Sequence, residues 1–148
     1  YYSAHRPHLR ILHRRLGPVQ TVAVLVTGLS GLVMAAQAHA GPIAGFGFAL
    51  HSLGTMGTVV VAAYYASRGE WPRHRLWARR CVLLLLAPLL LRLMTGFTIV
   101  THLDTPNAYR CIAWLSWMLP MGVHEFCYAR VGRIHNSSKP SLSLPSQF

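Results

Sequence analysis

Apolar residues fall along this chain in four long blocks. The first runs over about 17–38 and has VQTVAVLVTGLSGLVMAAQA at its centre. The second covers about 43–66, the third 81–102, including VLLLLAPLLL, and the fourth 108–130. Each supplies the ~20 residues that a helix needs to cross a bilayer. None shows the strict alternation of a membrane β-barrel strand, and in hydrocarbon a helix satisfies its backbone within one segment. The pattern therefore predicts an all-α protein, a four-helix transmembrane bundle occupying 17–133. Gly41-Pro42 ends the first helix and opens the second. SRGEWPRHRLWARR reads as a loop before the third helix, and LDTPN, with Asp104 and Pro106, as a short connection before the fourth. Residues 1–16 mix basic and apolar positions and read as an interfacial arm. The Ser/Pro-rich stretch 134–148 reads as a flexible tail.

Composition sharpens this picture. Of 148 residues only 17 carry a formal charge, 14 Lys+Arg and 3 Asp+Glu, and none of the 52 residues between Arg15 and Arg68 does. That is too few charges to coat a water-soluble globule, and it excludes a soluble enzyme, a disulfide scaffold and a disordered tail. A net charge of +11 would point to nucleic acid in a soluble protein. Here the basic residues instead form three clusters that abut the apolar blocks, at 6–15, 68–80 and 130–139. They are topology signals, so no nucleic-acid partner is expected. Twelve of the 14 basic residues fall on one side of the bundle, which places both termini in the cytoplasm under the positive-inside rule. The location expected is a bacterial inner membrane. The chain begins at Tyr1 and its first residues lack a signal-peptide core, so further helices upstream are expected. Cys81, Cys111 and Cys127 have no metal-ligand spacing and read as small packing residues, with no metal site.

The candidate chemistry is sparse. Arg92 and Glu125 lie inside the third and fourth blocks, where a charge is costly unless paired or functional. They are the expected intramembrane ion pair, although their depths differ by ~6–10 Å at 1.5 Å per residue. Gly28 and Gly31 on the first helix, and Gly41, Gly45, Gly54 and Gly57 with Gly47 on the second, offer small surfaces for close helix packing. Four histidines, His39, His51, His102 and His124, lie in or at the ends of the helices and are candidate ligands for haem b. His51 and His124 differ in depth by ~12 Å, whereas His39 and His102 share a level. His124 beside Glu125 is a conceivable proton relay. No nucleophile elbow, phosphate loop, HExxH or CxxC is present, so nothing points to an enzyme.

Three stretches resemble a widespread family of bacterial multi-pass membrane proteins known as a domain of unknown function. They are His13-Arg14-Arg15-Leu16-Gly17, similar to that family's His-Arg-x-x-Gly lead into a helix; His74-Arg75-Leu76-Trp77-Ala78-Arg79-Arg80, similar to its His-Arg-x-Trp-x-x-Arg segment; and Ala108 to Trp117, similar to the start of its last helix. Arg92 and Glu125 fall where the family carries an arginine and a glutamate, and Pro18-Val19-Gln20 departs from its pattern. The resemblance implies a multi-pass fold but no activity. It also singles out a basic cytoplasmic rim of His13, Arg14, Arg15, His74, Arg75, Trp77 and Arg80, suited to lipid phosphate, a haem propionate or an acidic partner.

The function expected is a non-catalytic accessory or structural subunit of a larger membrane complex. It would pack through glycine faces and meet lipids or other membrane-protein subunits with its basic rim. The alternatives are a small haem b or quinone-associated redox protein and a proton-coupled transporter built on Arg92, His124 and Glu125. Bound lipids are expected; no other cofactor is specified.

Overall fold

Prolines open the helices of this protein. Pro42 begins α2 (Pro42–Ser67), Pro72 sits in the first turn of α3 (Trp71–Val100), and Pro106 begins α4 (Pro106–Ser137). At that position the missing N–H would be unpaired anyway and the fixed φ suits the helix. With α1 (Pro7–Ala36) these make up the computed structural model, which describes residues 7–37, 41–103 and 105–137. The described residues contain no strand. The candidate ligand His39, the loop Asp104 and the end of the tail lie outside them.

Two tight turns set the hairpins. After α2, Gly69 adopts φ 71°, with Glu70 N–H donating to the Tyr65 carbonyl (3.0 Å) and Gly69 N–H to Ala66 (3.1 Å). This is a Schellman motif, in which a left-handed residue just past the helix lets the last carbonyls find donors. The end of α3 repeats it: Leu103 N–H donates to Thr98 (2.8 Å) and His102 N–H to Ile99 (3.2 Å). There the left-handed position, φ 55°, is held by His102 rather than by glycine.

Three helix boundaries differ from the sequence expectation. α3 starts at Trp71, ten residues before the apolar block, so most of the basic loop is helical. Glycine 69 had already broken the chain, and arginine is a good helix former. The interfacial arm is likewise continuous with the first span, since α1 begins at Pro7. α4 runs on to Ser137. Pro18, Pro88 and Pro120 lie within unbroken helices.

Three helical stretches, Ile11–Ala36, Pro42–Ser67 and Trp71–Val100, are long and apolar enough to cross a membrane. α4 is as long but falls below that apolarity, because Arg110, His124, Glu125 and Arg130 dilute it. Two of its polar side chains reach the neighbouring helices: Trp114 Nε1 donates to the Ile43 carbonyl (3.3 Å), and Glu125 meets α3.

α2 is the hub, with α1, α3 and α4 all packed against it. Its buried positions are small, Ala44, Gly45, Gly47, Ser52, Thr55, Thr58, Val59 and Ala62. Ala113 and Ser116 of α4 complete the same layer. Three of the buried hydroxyls are satisfied within their own helix, Thr55 donating to the His51 carbonyl, Thr58 to Thr55 and Ser116 to Ala113. Large apolar side chains point outward, among them Val22, Val26, Leu29 and Val33 of α1. A small-residue interior with an apolar exterior suits helices that associate in hydrocarbon, where close packing replaces the hydrophobic force.

The glycines divide accordingly. A Cβ on Gly28 would run into Met56, and one on Gly31 into the Ser52 hydroxyl, so both permit the α1–α2 contact. Gly45 is buried, and a Cβ on Gly47 would press on the Trp114 indole at 3.2 Å. Gly41 serves the turn, with φ 92°. The expectation fails at Gly54 and Gly57. Gly54 would make only an ordinary 3.7 Å contact with Leu84, and Gly57 faces open space, because both lie off the helix face that meets α1 and α4.

Candidate functional site

A cluster of polar side chains lies where the basic part of α3 passes α4. Arg80 donates through Nε to Glu125 Oε1 (2.6 Å) and through a terminal nitrogen to Oε2 (2.8 Å). This two-pronged geometry matches the planar guanidinium to the carboxylate. Trp77, one turn before Arg80, lies under its guanidinium at 4.6 Å. A cation over an indole face is attracted by the ring quadrupole. On α4, His124 Nδ1 is 3.4 Å from Glu125 Oε1, and its ring is near-parallel to Tyr128, one turn on.

The depth of this cluster follows from the register of α2 and α3. His74 Nδ1 donates to the Ala62 carbonyl (2.8 Å) and His51 Nε2 to Leu84 (2.9 Å). Between those two bonds Arg80 stands level with Thr55 and Met56, and Met56 lies against Gly28. The pair therefore sits near the middle of α2, not at its end. Arg80 is mostly covered (19 % exposed), whereas the Glu125 side chain is 43 % exposed.

The ion pair expected between Arg92 and Glu125 is thus corrected: Glu125 takes Arg80. Arg92 is twelve residues farther along α3, ~18 Å at 1.5 Å per residue, beyond the reach of the two side chains. It is exposed, and among the described residues no hydrogen bond or ion pair reaches it. The difference lies in the ten residues before Cys81, which are helical and bring Arg80 onto α3. Trp77 and Arg80, three residues apart on a helix, were its available signal.

The residues proposed as a basic rim are only partly gathered. The His13 and His74 rings meet edge-on, 6.2 Å between centroids, and Trp71 approaches His74 similarly. Arg14, Arg15 and Arg75 are exposed. Arg68 covers Tyr64 and Arg73 covers Tyr65, with Arg73 also paired to Glu70 (2.7 Å). Arg80 leaves the rim for the interior pair.

The described candidates His51, His102 and His124 do not come together as an axial ligand set. The Nε2 of His51 is engaged by a backbone carbonyl, His124 faces Glu125, and His102 is an exposed turn residue. Among the described residues no group of three or more His, Cys, Asp or Glu is placed to hold a metal ion.

Residues 3–128, most of the chain, match the family described as Predicted membrane protein (DUF2306), a domain of unknown function. The chain belongs to this family. The match covers all three apolar spans and α4 as far as Tyr128, so it includes the Arg80–Glu125 cluster. No curated protein and no solved structure matches the chain.

Proposed function

We propose that this DUF2306 chain is a non-catalytic subunit of a larger membrane assembly. The observation that carries the reading is the Glu125 carboxylate, 43 % exposed at mid-height of the bundle on a helix too polar to face lipid by itself. Charge at that depth is tolerated where protein covers it. A neighbouring subunit over the outer face of α4 supplies the cover. The basic end of the bundle, with Arg14, Arg15 and Arg75 exposed, meets anionic headgroups on the cytoplasmic side of a bacterial inner membrane. Purification from native membranes in lipid nanodiscs, followed by native mass spectrometry, tests this. A stoichiometric complex with bound anionic lipid is expected; a chain that elutes alone refutes the subunit role.

A second reading, proton-coupled transport, draws on His124 beside Glu125. It requires that Glu125→Gln abolish a pH-dependent flux in proteoliposomes, and unchanged flux removes it. The redox alternative requires a Soret band in the purified protein. A band lost on replacing His39 or His102 would displace the subunit reading.

A further inference from the structure

Two imidazoles from distant parts of the chain meet at the basic end of the bundle. The rings of His13 on α1 and His74 on α3 stand 6.2 Å apart between centroids, with their planes at 64°. α1 and α3 each pack on α2 and not on one another, so the two rings bridge helices that the bundle holds apart.

His74 is prepared as a ligand. Its Nδ1 lies 2.8 Å from the Ala62 carbonyl, which only accepts, so in the neutral ring the proton is on Nδ1 and the lone pair on Nε2. Metal-binding histidines are held in this way, the second nitrogen donating to a carbonyl that fixes the tautomer and the ring. Trp71 stands against the same ring at 6.2 Å.

The separation discriminates between metal centres. Imidazole nitrogens bind a metal at about 2.0–2.1 Å, which puts two rings on opposite sides of it about 6.3 Å apart between centroids, and two rings at a tetrahedral angle about 5.2 Å apart. The 6.2 Å between His13 and His74 matches the opposed arrangement. Two opposed ligands complete only a metal that brings its others along, because among the described residues no third His, Cys, Asp or Glu joins the pair. Iron in a porphyrin is such a metal.

Charge and room agree. Arg14, Arg15 and Arg75, next to the two histidines in sequence, are exposed. They repel a bare divalent cation and attract the carboxylates on a porphyrin edge. Gly17, one turn along α1 from His13, has nothing within 4 Å of where a Cβ would stand, and Ala78 occupies the same place after His74. Residues four apart share a helix face, so small side chains there leave space beside each ring for a flat macrocycle.

We infer that His13 and His74 are the axial ligands of one haem b, held between α1 and α3 at the basic end of the bundle. This goes beyond the subunit reading, which rests on the outer face of α4, and each can fail without the other.

The test titrates hemin into the full chain in nanodiscs of phosphatidylcholine and phosphatidylglycerol, read by visible absorption and electron paramagnetic resonance. One haem per chain with a six-coordinate, low-spin signature is expected. His13→Ala weakens hemin binding by more than the roughly tenfold lost with an outer-sphere partner, and leaves five-coordinate, high-spin iron. Added imidazole fills the vacated position and restores the low-spin spectrum. His74→Ala gives the same loss, while His102→Ala leaves the titration unchanged. His13 is exposed, so its replacement decides the matter even where His74→Ala does not fold. No saturable hemin binding, high-spin iron in the unaltered chain, or low-spin binding that survives His13→Ala overturns the inference. Stoichiometric zinc or nickel that hemin does not displace overturns it in favour of a bare ion.

Discussion

Glu125→Gln keeps the shape of the side chain and removes its charge. The carboxylate accepts two charge-assisted hydrogen bonds from Arg80, at 2.6 and 2.8 Å. A hydrogen bond to a charged group contributes about 1.5–3 kcal/mol. The Glu125 side chain is 43 % exposed, and a partly open ion pair is worth less than an enclosed one. The amide also retains one acceptor for the guanidinium. A net loss of about 2 kcal/mol is therefore expected, with a coupling of about 1–2 kcal/mol in the double-mutant cycle with Arg80→Gln. Unfolding in bicelles by added SDS, followed by fluorescence of the four tryptophans, provides the free energies. The matching cycle with Arg92→Gln should be additive to within about 0.5 kcal/mol, as for distant sites. Coupling to Arg92 in place of Arg80 would refute the assigned pair and the depth derived from it.

The α1–α2 contact predicts opposite behaviour at two glycines on neighbouring faces. Gly31→Val forces Ser52 aside and should destabilise by about 1–3 kcal/mol, while Gly57→Ala meets nothing and should stabilise by up to about 1 kcal/mol through helix propensity. The same unfolding assay reads both, and equal effects would contradict the packing. His102→Gly should raise stability by about 1 kcal/mol, because a side chain in the left-handed region is strained and glycine is not. A loss there would mean that the imidazole makes a contact outweighing its backbone.

The four helices were legible because their apolar blocks are long and bounded by glycine and proline. What the pattern obscured was where α3 begins. The five arginines between Arg68 and Arg80 look like a membrane flank when charge is read as topology, yet Gly69 and Pro72 mark the helix start to within two residues. The shortened helix carried the ion pair with it: from Cys81 onward, Arg92 is the only basic residue within α3. Gly28 and Gly57 look alike in sequence, and only the face each turns to its neighbours separates them. The turn at His102 had no signal at all, since glycine is the residue that normally announces it.

The shared membrane depth of Arg80 and Glu125 requires that α4 cross the membrane alongside α3. In a chain with Cys81, Cys111 and Cys127 replaced by alanine, single cysteines at Ser67, Thr105 and Ser137 can be labelled from outside intact cells with an impermeant maleimide. Ser67→Cys and Ser137→Cys should both be protected and Thr105→Cys labelled, as four antiparallel spans with a basic cytoplasmic end require. Labelling of the cysteine at 137 together with that at 105 would show that α4 does not cross, and would remove the shared membrane depth of Arg80 and Glu125.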